Sequence, residues 1–331
     1  MPETKRDKNP AKKHGNISLW DSTTMSELLA WHLESNSRRA HIRRSYNLDV
    51  NALDYNTVDV EADGWTCNDV GVWTEAKHRL VAYYAALFSK GMKEKWKRVY
   101  IELYAGAGYS HIRDTERVIA GSPIQALKLK VPFDKYIFCE QDPEKLEALR
   151  ARVRLHAPSA DVTFIPGDCD ANVDKIAAAI PRYSKTNKVL SLCFVDPNDI
   201  GIKFATLQEL AKKYVDFIVL LALYMDALRA EKHYIKNPSK IDELLGTSTW
   251  HDRWKTAKQA GSEFPRFLAE EFTASMATME YIPPPFYSMR KVFFYEKNFS
   301  LYAVGLFSRN ALAYTLWDKA LKGSDDQLGL F

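Results

Sequence analysis

A carboxylate followed by two closely spaced glycines is the most chemically loaded feature of this chain. Residues 99–108 read Val-Tyr-Ile-Glu-Leu-Tyr-Ala-Gly-Ala-Gly, an apolar β-type run that ends at Glu102 and enters a turn holding Gly106 and Gly108. Glycine serves where a backbone takes positive φ or must approach a ligand more closely than a Cβ permits. The acid at the strand tip offers an acceptor to an amino or hydroxyl group. Glu-x-x-x-Gly-x-Gly therefore suits the amino-acid half of S-adenosylmethionine better than a pyrophosphate. The pyrophosphate fingerprint is Gly-x-Gly-x-x-Gly, rarely with an acid just ahead of it. Tyr104 and Ala105 lie inside the same turn.

Three later apolar runs also end in acids. Glu140 closes Lys135–Glu140 and is followed by Gln141 and Asp142; an acid here suits the two hydroxyls of a ribose. Asp168 and Cys169 follow Gly167, where a carboxylate could accept from an adenine amino group. Asp196-Pro197-Asn198-Asp199 follows Val189–Val195, facing the place where a transferred methyl would emerge. Each has a plain structural alternative: Glu140 or Asp142 capping a helix, Asp168 stabilising its own turn, Asp-Pro opening a turn. Four acids at four successive strand ends favour a shared ligand.

Methyl transfer rests largely on in-line proximity. Asp196 would accept a proton or hydrogen bond from the target, with Pro197 shaping the slot. DNA enzymes that methylate exocyclic amines carry Asp-Pro-Pro-Tyr here; Asn198 and Asp199 replace its last two residues. No Pro-Cys pair exists, which argues against cytosine C5 chemistry. Trp73, Tyr104 and Tyr224 are aromatic candidates for base stacking, with core packing as the alternative.

The elements that must position these groups alternate strand and helix from Val99 onward, predicting a parallel sheet covered on both faces. Strands are expected at Val99–Leu103, Lys135–Glu140, Val162–Pro166, Val189–Val195 and Asp216–Leu221. Helices are expected at Ile124–Lys130 (capped by Ser122), Asp142–Leu155, Asp174–Ile180 and Phe204–Tyr214. An amphipathic helix is expected from Trp73, capped by Thr74, to about Lys90-Gly91. Residues 291–296 and 300–307 read as a β-hairpin about Lys297-Asn298-Phe299. Five parallel strands closed by such a hairpin are the order of the seven-stranded methyltransferase sheet. The expected class is thus α/β: a three-layer, Rossmann-like methyltransferase sheet with a helical N-terminal extension and a helical insert.

The expected organisation is a basic, partly disordered extension over 1–62 and a Rossmann-like core over 63–224. A helical insert over 225–288, a closing hairpin and helix over 289–322 and a tail over 323–331 complete it. Residues 109–121 carry His111, Arg113 and Arg117 without apolar periodicity. They read either as a loop gripping phosphates or as a plain surface loop.

Composition sets outer bounds. With 46% hydrophobic and 27% charged residues, the 331-residue chain is ordinary for a soluble globular protein. No apolar run approaches the ~18 residues of a membrane span, and no export signal is visible, so a cytoplasmic protein is expected. The four cysteines are scattered and suggest no zinc site. Net charge is +4, but residues 1–50 hold nine Lys/Arg against six Asp/Glu, a surplus of three. A solvated face or phosphate contact would each account for it. Trp250, Arg253, Trp254, Lys255 and Lys258 give the insert a basic, aromatic character that would suit a nucleic-acid-binding module. A metal-dependent nuclease using Asp196 and Asp199 is a weaker option.

Taken together, the chain resembles the three-Cys-motif partner (TcmP) family. The matching pieces are Asp63-Gly64-Trp65, residues 70–77 (Val-Gly-Val-Trp-Thr-Glu-Ala-Lys), residues 101–108, residues 121–127 and residues 133–140. Gly167-Asp168-Cys169, Val195-Asp196-Pro197, Leu245-Gly-Thr…Trp250 and the Leu301-Tyr…Trp317 region extend it to about residue 320. The resemblance implies a cofactor-binding, methyltransferase-like domain that partners a radical-SAM-type protein bearing three cysteines. A role in nucleic-acid modification or phage-related biology is implied as well. The family would usually show an aromatic residue and glycine after Asp-Pro, where this chain has Asn198-Asp199-Ile200-Gly201. The helix carrying Trp73 and Lys77 would close over the cofactor, unless it is simply packed.

Overall fold

The computed structural model describes residues 59–197, 199–223, 231–284, 289–294 and 299–326. The expected N-terminal helix, the basic extension up to residue 58, Asn198, Tyr224, the hairpin tip and the end of the tail lie outside the described residues.

The main sheet has seven strands. In chain order these are β3 (Lys97–Glu102), β6 (Lys135–Glu140), β7 (Val162–Pro166), β8 (Val189–Val195), β9 (Val215–Leu221), β10 (Arg290–Phe294) and β11 (Phe299–Phe307). Their spatial order is β10-β11-β9-β8-β3-β6-β7. The five from β7 to β9 are parallel, and β11 runs antiparallel to both β9 and β10. Every residue of β9 is buried, as is β3 beyond its first residue. Strands covered on both faces read as continuous apolar runs, which is why the sequence located them to within two residues.

Helices α1 (Thr74–Met92), α2 (Ser122–Leu127), α3 (Pro143–His156), α4 (Val173–Ala179), α5 (Phe204–Ala211) and α10 (Ala311–Asp326) flank this sheet. Helix α1 buries Leu80, Val81, Tyr84, Leu87 and Phe88, and Tyr84 meets Trp317 of α10 edge-on at 5.4 Å. Thr74 is the first residue of α1, with Trp73 at the cap position and no side-chain cap bond. Likewise Gly121, not Ser122, occupies the cap position of α2, and Ser122 turns its hydroxyl to a different task described below. Asp142 does cap α3, accepting from the amides of Glu144 and Lys145.

Residues 109–121 are not an irregular loop. They form β4 (Tyr109–Ile112) and β5 (Val118–Ala120), paired antiparallel. Together with β1 (Asp59–Val60) and β2 (Asn68–Val70) they build a second sheet of order β1-β5-β4-β2. Its strands are two to four residues long, too short for periodicity to announce them. Asp59–Val60, inside the segment expected to be extension, pair with β5.

The insert contains α6 (Glu231–Lys236), α7 (Ser239–Leu245), α8 (Trp250–Gln259) and α9 (Phe264–Ala277). It packs on the sheet side chain by chain: Phe272 of α9 lies against Phe204 of α5 and Phe307 of β11. Trp250 is fully buried and its indole donates to Asp242 Oδ1 at 2.7 Å; Trp254 is 4% exposed. Arg253, Lys255 and Lys258 are each ion-paired, with Glu271, Asp252 and Glu231. The tryptophans read from the sequence thus belong to core packing, and the basic residues beside them carry ion pairs at the surface.

Candidate active site at the switch point of the sheet

Strand order reverses direction between β3 and β8, and in open α/β sheets ligands bind at the carboxyl ends beside such a switch. The register aligns Glu102 with Phe138 of β6 and with Phe194 of β8, and Glu140 with Pro166 of β7. The expected site residues on β3, β6, β7 and β8 therefore stand along one edge.

The glycine turn is fixed by its own polar backbone. Ala105 N–H donates to Cys139 O at 2.9 Å, and Gly106 N–H donates to the Glu140 carboxylate at 2.7 Å. Gly108 O accepts from Gly121 N–H at 2.7 Å, and Ala107 O accepts from the Arg152 guanidinium at 2.7 Å. Gly106 has φ +64° and Gly108 φ +85°, conformations open to glycine at little cost. A Cβ on Gly106 would lie 2.1 Å from the Asn68 amide nitrogen, so Asn68 of β2 rests directly on the turn. The Asn68 Oδ1 is buried and has no hydrogen-bond partner among the described residues.

Glu140 is half-buried and holds both ends of its own turn. One oxygen takes the Gly106 amide, the other the Asp142 amide at 2.9 Å. Each oxygen keeps a second lone pair for a hydroxyl donor. Asp168 accepts from Ala171 N–H at 2.9 Å and so stabilises the turn that follows β7. Cys169 is buried, its thiol pushed up to about 12 by burial, and it shares a hydrogen bond with Tyr104. That contact ties the glycine turn to the turn after β7. Gln141 lies beside the cap at the start of α3.

Glu102 differs from the sequence picture. It is 1% exposed, accepting from the Tyr100 hydroxyl at 2.7 Å and from the Ser122 hydroxyl at 2.9 Å. Burial pushes its carboxyl up to about 8; nearby Asp196 adds to the rise, while the two hydroxyls and Lys77 oppose it. At neutral pH it is largely a neutral acid, ready to ionise when a cation arrives. An acid exposed in the crevice is thereby replaced by one sealed beneath it.

Asp196 sits at the tip of β8 and accepts from Lys77 Nζ at 2.5 Å. Lys77 is itself buried and comes from α1, so the helix ahead of β3 reaches the tip of β8. Its ammonium lies 5.8 Å from the ring centroid of Tyr302 on β11, whose hydroxyl is buried without a hydrogen-bond partner among the described residues. Pro197 is buried beside this pair, and Asp199 is ion-paired with Lys240 at 2.6 Å. With a lysine on each carboxylate, Asp196 and Asp199 are not arranged as the joint metal ligands of a nuclease.

Two expected substrate contacts, Arg117 and Arg113, lie around the small sheet. Arg117 donates to Glu75 at 2.6 Å and to Asp59 at 2.8 Å, stapling β5 to α1 and β1. Arg113 stacks on Trp73 at 5.4 Å, and the Trp73 ring fills the space a Cβ on Gly71 would need. Arg117 thereby ties the small sheet to α1, while Arg113 stays exposed beside the Trp73 ring.

Sequence reasoning missed Arg152, Ser122, Asn68 and Tyr302. Arg152 is 1% exposed, grips Asp63 with two bonds of 2.7 and 2.8 Å, and also donates to Thr66 O and Ala107 O. It lies over the Tyr109 ring at 4.1 Å. Its only sequence signal was the Asp-Gly-Trp motif at 63–65, whose acid is its partner.

A seven-stranded, Rossmann-like α/β sheet with the reversed strand between β9 and β10 is the methyltransferase type of fold. No family model matches the sequence, and no curated protein sequence matches it. Solved structures resemble it distantly. The O-methyltransferase TomG from Streptomyces achromogenes, in complex with SAM, is 11% identical with TM-score 0.39, over 83% of this chain and 90% of that one. The O-methyltransferase from Bacillus cereus in complex with SAH is 8% identical with TM-score 0.37, over 88% and 93%. TYW2 of M. jannaschii, in complex with AdoMet, is 11% identical with TM-score 0.36, over 78% and 88%. At such values these likenesses do not bear on what this chain does. Among the described residues no helix is long and apolar enough to cross a membrane.

Proposed function

We propose that this protein is an S-adenosylmethionine-dependent methyltransferase. The observation that carries the reading is the meeting of the Glu140-held glycine turn, the ionisable Glu102 and the Lys77–Asp196 pair along the switch-point edge. S-adenosylmethionine would supply a methyl group already activated on a sulfonium. The residues present fit it: a backbone turn open at two glycines, a half-buried acid with spare lone pairs, and an orphan amide oxygen on Asn68. Glu140 would hold the ribose hydroxyls, and Asn68 Oδ1 would accept from the ligand's amino group. Glu102 would ionise beneath that cation, with Asp168 and Cys169 bordering the adenine side.

Asp196 would accept a hydrogen bond or proton from the acceptor nucleophile, with Lys77 holding its carboxylate in place. Tyr302 would donate its unpartnered hydroxyl to the acceptor. We take that acceptor to be a nucleic acid or modified nucleotide, a reading supported by the Asp196-Pro197 pair alone. Association with a three-cysteine radical-SAM-type protein is supported by the short motifs shared with three-Cys-motif partner proteins.

Calorimetric titration with S-adenosylmethionine and S-adenosylhomocysteine tests the cofactor. Saturable binding to wild type that weakens at least tenfold in Glu140→Ala is expected. A folded protein that binds neither compound removes the proposal.

A further inference from the structure

The opposite edge of the sheet carries a feature that the methyltransferase reading does not use. Trp96, just ahead of β3, Tyr183, in the segment leading to β8, and Tyr214, just ahead of β9, gather there. Ring centroids are 4.6 Å apart for Tyr183–Tyr214, 6.2 Å for Trp96–Tyr214 and 6.4 Å for Trp96–Tyr183. Tyr183 is 40% exposed and Tyr214 50% exposed, among the few large apolar side chains that face water. Strands β3, β8 and β9 are neighbours, so their N-terminal ends bring the three segments together; Lys97 N–H donates to Lys188 O at 2.7 Å.

Charge around the rings is one-sided. Exposed Lys97, Arg182, Lys185, Lys188 and Lys213 lie in these same segments. Residues 182–188 (Arg-Tyr-Ser-Lys-Thr-Asn-Lys) contain no acid. The acids in or beside the three segments are Glu94, Asp134, Glu209 and Asp216; Asp134 is taken by Arg98, Glu209 by Lys212, and Asp216 is buried. Clustered, partly exposed aromatic rings inside a cationic rim are what single-stranded nucleic acid requires. Bases stack on rings without regard to sequence, and lysines track the phosphates. Duplex DNA keeps its bases stacked inside and could use only the rim.

We propose that this edge is a docking strip for single-stranded nucleic acid. The inference stands on its own, because the six-residue strand β3 puts about 20 Å between this edge and the cofactor edge. The strip would bind with or without cofactor.

The test is fluorescence anisotropy of full-length protein with labelled oligo(dT) and oligo(U) of 20 nucleotides, across a salt series. Binding of both single strands, tighter than to a duplex of equal length, is expected. Loss of roughly tenfold or more in Tyr183→Ala/Tyr214→Ala follows from ~1–3 kcal/mol per stacked base. The Lys185→Glu/Lys188→Glu protein should show a salt slope lower by about 1.4, two phosphate contacts at ~0.7 each. Lys255→Glu, on the insert, should change nothing. Circular dichroism confirms that each variant is folded, and the cofactor affinity of the tyrosine variant should match wild type.

Absence of binding at low salt overturns the proposal. So does equal preference for duplex, or binding untouched by the paired tyrosine and lysine variants, which would assign the contact to another part of the chain. Capture by acidic phospholipid vesicles in preference to the oligonucleotides would likewise replace it with a membrane contact.

Discussion

Replacing Glu102 by glutamine should make the protein more stable, and increasingly so as pH rises. The carboxyl titrates near 4.5 when solvated and at about 8 in the fold, where burial is the main cause. A folded pKa above the unfolded one means that the native state holds the extra proton between those values. Stability from this group is full below pH 4.5 and is lost as pH rises through 8. The 3.5-unit gap corresponds to about 5 kcal/mol at 1.36 kcal/mol per unit, of which roughly 4 kcal/mol falls between pH 5 and pH 9. Relaxation of the buried site lowers this, so ~2–4 kcal/mol is the expected range.

Glutamine is neutral throughout and has the same shape, and the Tyr100 and Ser122 hydroxyls can rotate to serve either oxygen or nitrogen. Urea unfolding of wild type and Glu102→Gln at pH 5, 7 and 9 measures the difference directly. Asp216 is also pushed up, to about 7, by burial, but it is common to both proteins and cancels. The variant should gain little at pH 5 and most at pH 9. A stability difference that is flat with pH would refute the assignment of Glu102 as a neutral buried acid. In the cofactor assay the same variant should weaken binding, because glutamine cannot ionise beneath a cation.

Arg152→Met should destabilise by about 3–5 kcal/mol, because Asp63 and the carbonyls of Thr66 and Ala107 lose their shared donor; thermal unfolding reads it. Gly106→Ala should cost ~1–2 kcal/mol from its positive φ alone and displace Asn68, and calorimetry should show cofactor affinity falling by more than tenfold. Tyr302→Phe removes a buried hydroxyl that has no partner, so stability should hold or rise by up to about 1 kcal/mol. In a methyl-transfer assay its turnover should fall while cofactor affinity is unchanged, and parallel losses of both would refute its place beside the acceptor. Lys77→Met should lower stability by roughly 3 kcal/mol, since Asp196 would be left half-buried without its counter-charge. Lys77→Arg should recover part of that loss in the same unfolding assay.

The sheet was legible because its inner strands are mostly apolar runs. Their tips announced themselves as Glu102, Glu140, Asp168 and Asp196, and a C-terminal hairpin is a local pattern. Asp142 as a helix cap and Asp168 as a turn support were the plain alternatives that the sequence already held open. What those acids do was not legible, because a carboxylate at a strand tip reads alike whether it faces water, a backbone amide or a lysine 119 residues away.

By itself the sequence determined the order of the main-sheet strands and their helices and the edge at which acids and glycines collect, since these follow from local apolar runs and turn chemistry. Tertiary structure alone decided that Glu102 is sealed and neutral, that Lys77 meets Asp196, and that Arg152 locks residues 63–67 to the glycine turn. The same contacts turned residues 109–121 into a sheet and spent the insert's tryptophans on packing. Burial and charge pairing depend on neighbours distant in the chain, and no local spacing records them.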